Sequence, residues 1–215
     1  MKAKRMDAIK ETLLNEILGE AELQVWDPNE SKYFGPSTRA LGLFGEVDEE
    51  RARLLIGQIL HLEELSEEEP ITIHLNTPGG SLMDGLAIYD AIRQVSCPVI
   101  IVTTGLCASA GLLILAGADY KLATPSTMFF YHQPVMSEGT VSSASEMVSF
   151  SNHYQYCKQV TDEIILKRSK MKKSEWNMNF KNKTSFYFNT TQAAAFNLID
   201  DIVESRKLKF KLTKD

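Results

Sequence analysis

Val99-Ile-Ile-Val-Thr-Thr-Gly-Leu-Cys-Ala-Ser-Ala-Gly-Leu-Leu-Ile-Leu-Ala116 decides the architecture. Val99–Val102 is a β-branched run that follows Pro98, which suits a pleated and buried surface. Ser109–Ala116 has almost no polar side chain, so a helix here is apolar on every face and must be buried. Between the two lies a loop of small residues, Gly105 to Ala108. A buried strand that runs through such a loop into a buried helix belongs inside a layered α/β domain, not at its edge.

The same alternation continues on both sides. Upstream, Ala40–Phe44 is a short apolar strand stopped by Gly45. Val47 to Leu65 carries Leu54, Leu55, Ile59, Leu62 and Leu65 at helical spacing. Its first turn holds Asp48, Glu49 and Glu50, where the helix dipole favours negative charge. Ile71–Leu75 is the next strand, and Leu82, Ile88, Ala91, Ile92 and Val95 outline the next helix. Downstream, Tyr120–Ala123 and Met128–Tyr131 read as strands and Ser142 to Arg168 as one long helix. Thr190–Phe196 is a short helix with Asn197 as a left-handed cap. Ile199–Val203 closes the series as a strand. Repeated βαβ units with short loops imply right-handed crossovers and a largely parallel sheet.

The ends differ. In residues 1–38, Met6, Ile9, Leu13, Leu14 and Ile17 mark an amphipathic helix, followed by a loop at Trp26-Asp-Pro-Asn. This segment has the character of an arm that packs on a neighbouring subunit. Residues 39–204 form the α/β domain, and residues 205–215 are a loose Lys-rich tail.

Bulk properties narrow the functional class. The chain has 215 residues, 44% of them hydrophobic, and a net charge of −5. An acidic balance with one basic concentration, around Lys170 to Lys183, argues against nucleic acid as partner. That basic stretch reads as a solvated helix end and loop. No apolar run is long enough to span a membrane, and no signal peptide follows the basic start. Cys97, Cys107 and Cys157 are widely spaced, which suits reduced thiols in the cytoplasm rather than a disulfide or zinc framework. No cofactor and no metal are implied: no His/Asp/Glu cluster has ligand spacing, and no phosphate-binding Gly-rich loop is present.

Three loops carry groups that could do chemistry. Sites in parallel sheets form beyond the carboxyl ends of the strands. Asn76-Thr-Pro-Gly-Gly80 leads into a helix, and its glycines let backbone N–H groups face outward, as an oxyanion requires; it is equally an ordinary turn. Ser109 stands at the head of the buried helix, either as an N-cap or as a nucleophile in the positive field of the helix end. Cys107, two residues earlier, is a packing residue or a competing nucleophile. His132 ends an apolar strand 23 residues after Ser109, as a structural histidine or as the general base for the serine. His61 falls mid-helix, His74 within a strand, and His153 on the long helix.

At these residues the sequence resembles the proteolytic subunit of Clp protease. The matching pieces are Leu43-Phe-Gly-Glu-Val, Gln58-Ile-Leu-His-Leu-Glu, Leu75-Asn-Thr-Pro-Gly-Gly, Gly85-Leu-Ala-Ile-Tyr-Asp, Gly105-Leu-Cys-Ala-Ser-Ala-Gly, His132-Gln-Pro and Asn197-Leu-Ile-Asp-Asp-Ile-Val. They stand in family order across residues 39–204. The resemblance implies a crotonase/ClpP-like fold with a long handle helix, roughly within Val135 to Lys167. It implies a homo-oligomer of stacked heptameric rings enclosing a chamber, in which peptides and unfolded proteins are cleaved. It implies Ser109 as nucleophile, His132 as base, and the amides of Gly80 and Ala110 as oxyanion donors.

The chain departs from the family at three places. No Asp or Glu lies between Glu175 and Asp200, so the triad acid is missing. Counting back from Leu198-Ile-Asp200 places Ser185 at the third triad position, with Thr184, Asn182 and Asn189 as alternatives. A neutral orienter predicts weakened or conditional activity. Thr72 and His74 stand where the family has aromatic residues that receive a partner AAA+ unfoldase, which counts against that docking. Residues 1–38 do not match the family's short axial loop. A non-catalytic ring subunit is the rival reading, and an acyl-CoA enzyme of the wider crotonase class is a third.

Overall fold

The computed structural model describes residues 39–134, 143–169, 171–181 and 185–203. The expected N-terminal arm, the C-terminal tail, and Thr184 and Asn182 lie outside these residues. The strands are β1 Ala40–Phe44, β2 Ile71–Thr77, β3 Val99–Ala108, β4 Tyr120–Ala123, β5 Met128–His132, β6 Ser185–Asn189 and β7 Asp201–Ile202. The helices are α1 Glu49–Leu65, α2 Leu82–Gln94, α3 Ala110–Gly117, α4 Ala144–Ser169, α5 Lys173–Trp176 and α6 Thr190–Ala195. A π-helical turn, Asn177–Lys181, continues α5. No described helix is long and apolar enough to cross a membrane.

The seven strands form one sheet, five of them in the order β1-β2-β3-β4-β7, with β5 paired to β3 and β6 paired antiparallel to β5. Every pairing along this path is parallel. The expected βαβ construction is therefore present, with α1, α2 and α3 as crossovers. The central strand, β3, is longer than the β-branched run suggested. Its first half pairs with β4 through Ile100–Thr103, and its second half with β5 through Leu106–Ala108. Between the halves the register against β2 shifts, from Leu75↔Thr103 to Thr77↔Cys107. The Asn76 carboxamide oxygen accepts the Leu106 N–H at 3.1 Å across this irregularity, so this donor at the break in the ladder is satisfied. Consequently β4 and β5 do not form a hairpin with each other. Both lie along β3, one after the other.

The apolar helix is buried as required. All eight residues of α3 are buried, and Leu112, Leu113, Ile114 and Leu115 are each at most 2% exposed. Eight residues are too few for a helix to persist alone. Burial of each large side chain contributes roughly 1.5–3 kcal/mol relative to exposure, and that term holds α3 in place. Its C-terminal carbonyls are capped from outside. Arg168 of α4 donates from Nε to Ala116 O at 2.8 Å and from a terminal nitrogen to Ala118 O at 2.7 Å. A guanidinium suits the negative end of a helix dipole.

On α1 the buried set is Ala52, Leu55, Ile59 and Leu62, while Leu54 and Leu65 point outward. One residue step turns a helix by about 100°, so Leu54 cannot share the face that Leu55 buries. The acids expected in the first turn are there, and Asp48 caps it by accepting the Arg51 N–H.

Arg39 ties the start of the domain to the end of α1. Its guanidinium donates to Leu62 O at 2.8 Å, Glu69 O at 2.7 Å, Ser66 O at 3.1 Å and Pro70 O at 3.2 Å. One side chain thus serves the last carbonyls of the helix and the loop into β2. Arg39→Ala is expected to lower stability by about 2–3 kcal/mol, because four carbonyls lose a charged donor at once. A denaturant midpoint that stays in place would show that water replaces the guanidinium without cost.

The Lys-rich stretch is more ordered than a solvated loop. Within it, Trp176 and Phe180 are buried and their rings stack with centroids 4.7 Å apart. They join Tyr131, Phe186, Phe188 and Phe196 in an aromatic cluster beneath β5 and β6. Lys172 and Lys173 are exposed on a segment that two aromatic rings anchor. Aromatic pairs add about 0.5–1.5 kcal/mol beyond their burial.

Candidate active site

The site forms where β2 and β3 end, at the carboxyl edge of the sheet. On the first side, β2 runs into Pro78-Gly79-Gly80 and α2. The Gly79 N–H is taken by the Thr77 hydroxyl at 3.0 Å. Val47 then clasps the loop from outside: its N–H donates to Gly79 O and its carbonyl accepts the Ser81 N–H, both at 2.8 Å. In a parallel bridge of this kind, the residue between the two bonded groups turns its own N–H to the opposite side. The Gly80 N–H therefore faces away from Val47. The backbone at Gly79 and Gly80 has φ of +91° and +150°, values that residues with a Cβ rarely adopt.

On the second side, β3 turns into α3 at Ser109. This residue has φ +54° and ψ −121° and makes no side-chain capping hydrogen bond. The N-cap alternative, in which its hydroxyl satisfies the helix, does not hold. Such a conformation costs a non-glycine residue on the order of 1–3 kcal/mol, and it raises the side chain out of the turn. The Ser109 N–H is bonded to Phe130 O at 2.8 Å. The next amide, Ala110 N–H, opens the helix and has no carbonyl a turn earlier to meet.

The third side is the end of β5. Ala108 pairs with Phe130 across the β3–β5 ladder, so His132 is carried to the rim beside Ser109 and Ala110. The His132 Nδ1 lies 2.6 Å from the carbonyl oxygen of Gln133. A carbonyl only accepts, so Nδ1 carries the proton in this arrangement and Nε2 holds the lone pair. Ser109, His132, Gly80 and Ala110 all line one cavity of about 420 Å³. Its far wall comes from α4 through Thr161 and Ile165, and among the described residues the only carboxylate lining it is Glu46. Tyr131 also faces it, with its hydroxyl donating to Asp162 at 2.9 Å. Burial, with the Asp162 carboxylate alongside, pushes the Tyr131 phenol far up, so it stays a donor.

The remaining sequence candidates separate cleanly. Cys107 is fully buried, and burial pushes its thiol well above the usual range, so it stays a thiol and a packing residue. Ser185 lies directly opposite His132 in the antiparallel β5–β6 ladder. Asn189 pairs with Met128 at the other end of that ladder, and its side chain caps α6 by accepting the Gln192 N–H. Thr72 is buried and His74 half-buried in β2, where burial lowers the imidazole. His61 and His153 are exposed on α1 and α4. Among the described residues, no cluster of His, Cys, Asp or Glu could hold a metal ion.

One contact and one strand were not legible in the sequence. Gln133 is held from α4 by the Tyr154 hydroxyl, at 3.1 Å from its side-chain oxygen. The aromatic strand β6 was also missed, although Phe186-Tyr187-Phe188 has strong β-propensity.

A serine on a strained turn that lines one cavity with His132, Gly80 and Ala110 suits acyl transfer, and the molecule is by class a serine-type hydrolase. Comparison with known proteins gives the family. The Clp protease family model matches residues 36–206. The ATP-dependent Clp protease proteolytic subunit of Bdellovibrio bacteriovorus is 35% identical over 181 residues, covering 76% of this chain and 77% of that one. A mutant of ClpP1 from Listeria monocytogenes is similar in structure, with a TM-score of 0.70 at 25% identity, covering 80% of this chain and 94% of that chain. The chain belongs to the Clp protease family and is a Clp-type serine peptidase subunit.

Proposed function

We propose that Ser109 is the nucleophile of this peptidase, His132 its general base, and the Gly80 and Ala110 amides its oxyanion donors. The observation that carries this reading is their convergence on one cavity. His132 Nε2 takes the hydroxyl proton as Ser109 Oγ bonds to the peptide carbonyl carbon. The negative oxygen is received by the two amides. Collapse breaks the C–N bond, and the imidazolium returns its proton to the departing amine. Water then repeats the sequence on the acyl ester and frees Ser109.

Ser185 is the third triad position in this reading. It supplies no charge, and the Nδ1–H of His132 is received by a neutral carbonyl, at Gln133. A neutral acceptor stabilises imidazolium less than a carboxylate does, so turnover is slow. Ser185→Asp is expected to raise kcat by about 10-fold or more, since losing the acid costs about 10⁴-fold in a serine protease where it has been measured. Hydrolysis of a fluorogenic peptide reads this directly. An unchanged rate would place the orienting group elsewhere.

The substrates are peptides, and unfolded proteins once something feeds them inward. The particle is a pair of stacked heptameric rings with the cavities facing an inner chamber, built from copies of this chain. Thr72 and His74 on β2 offer a poor seat for the aromatic-pocket docking of an AAA+ unfoldase. The three cysteines are buried and form no disulfide with one another, which suits the cytoplasm. Labelling by a fluorophosphonate probe tests the catalytic reading against the non-catalytic ring subunit. No labelling of the assembled protein would favour the latter.

A further inference from the structure

His132 sits in a second set of contacts that has nothing to do with charge. Its ring stacks on Phe130, centroids 5.4 Å apart and planes 29° from parallel. Phe130 in turn stacks on Tyr187 of β6, at 4.2 Å and 25°. The register explains the ladder. Phe130 and His132 are two residues apart, so they share one face of β5. Tyr187 pairs directly with Phe130, as Ser185 does with His132. The opposite face of β5, Phe129 and Tyr131, is buried in the aromatic cluster. Strand β5 is thus held from below by packing and carries a column of three rings above.

The geometry points to Phe130, backed by Tyr187, as a positioning device for the His132 imidazole, standing in for the orientation that a triad carboxylate would otherwise supply. This rests on the reading of His132 as the base. Two physical effects act together. A flat ring under the imidazole restricts its rotation about the side-chain bonds, which keeps Nδ1 on the Gln133 carbonyl and so fixes the direction of Nε2 in the cavity that Ser109 shares. The π-face also presents negative potential to the ring, which favours the imidazolium formed when Ser109 gives up its proton. Neither effect needs an ionised partner in a segment where no Asp or Glu occurs between Glu175 and Asp200. Phe130 and Tyr187 do not line the cavity; Phe130 also holds the Ser109 N–H through its backbone carbonyl, a bond that replacing the ring leaves in place, so the two rings act on the site through His132.

Peptide hydrolysis by the assembled protein tests this, with kcat and KM measured separately. Phe130→Leu keeps an apolar side chain and removes the ring. It is expected to lower kcat roughly 5- to 10-fold at little change in KM, and Phe130→Tyr to recover most of the loss. Tyr187 is 65% exposed, so Tyr187→Ala reads the outer ring without threatening the fold; a fall of about 3-fold in kcat is expected, with recovery in Tyr187→Phe. In a Ser185→Asp background, the loss from Phe130→Leu should shrink below about 2-fold, because a carboxylate then does the orienting. An active protein whose kcat ignores both Phe130→Leu and Tyr187→Ala would overturn the positioning role alone. A parent protein that neither hydrolyses peptide nor takes up a fluorophosphonate would overturn the catalytic reading and this inference with it.

Discussion

Replacing Ser109 with alanine is expected to reduce peptide hydrolysis at least about 10³-fold, and to abolish fluorophosphonate labelling, without dissociating the particle. The size follows from the role: the hydroxyl forms the bond, and no neighbour can substitute for it. Serine-protease nucleophiles removed in this way cost up to about 10⁶ in kcat, with the remainder supplied by the oxyanion donors. The lower bound here allows for a parent already slowed by the missing acid. Cys107, two residues earlier, is no substitute, because burial pushes its thiol up and favours the protonated form. Ser109→Gly adds a second expectation of opposite sign. The backbone at φ +54° strains any residue with a Cβ, so glycine should relieve on the order of 1–2 kcal/mol. That amounts to a rise of roughly 3–6 °C in Tm for a chain of this size, coupled to loss of activity. Such a trade of stability for geometry is expected at a functional turn. If alanine at 109 left hydrolysis within 10-fold of the parent, Ser109 would not be the nucleophile.

Gly79→Ala should be strongly damaging, because it strikes the turn that carries Ser109; Gly80→Ala would strike the Val47 clasp instead, where its Cβ would clash with Val47 O. A Cβ at Gly79 would lie 2.5 Å from the Ser109 Cβ, 2.8 Å from Ala108 O and 3.0 Å from Ala110 N. All three belong to the strand-to-helix turn, and two are backbone atoms that cannot swing aside. The positive φ adds strain of its own. The turn carrying Ser109 must therefore shift, along with the Ala110 donor. A displacement near 1 Å costs about 10² in rate, and the clash costs a further 2–4 kcal/mol of stability, as overpacking and disallowed backbone do together. Gly57→Ala is the internal contrast. Gly57 lies mid-α1 with nothing within 4 Å of its added Cβ, so alanine there should stabilise by about 0.5–1 kcal/mol. Equal effects from the two substitutions, by peptide hydrolysis and denaturant midpoint, would mean that Gly79 does not hold the turn.

Much of this molecule is legible in one dimension because its key signals are local. Val99–Val102 and Ser109–Ala116 are so uniformly apolar that only a buried strand and a buried helix accommodate them, and βαβ handedness then supplies a parallel sheet. Pro78-Gly79-Gly80 advertises its positive φ, since few other residues adopt it. The conformation of Ser109 had no such signal: serine at a helix start more often caps it. Arg39 is a plain basic residue until α1 and the loop to β2 bring four carbonyls around its guanidinium.

The sequence alone determined the βαβ order, the burial of α3 and the candidate trio of glycine turn, serine and histidine. Hydrophobic period and backbone restriction act over a few residues, so they can be read there. Only the tertiary structure decided that β3 changes partner midway, from β4 to β5, and so carries Ser109 up to the strand that ends in His132. It alone set Ser185 opposite that histidine and stacked Phe130 and Tyr187 behind it. Pairing across a sheet depends on register between segments more than 50 residues apart in the chain, and the residues on either strand say little about which partner each will face.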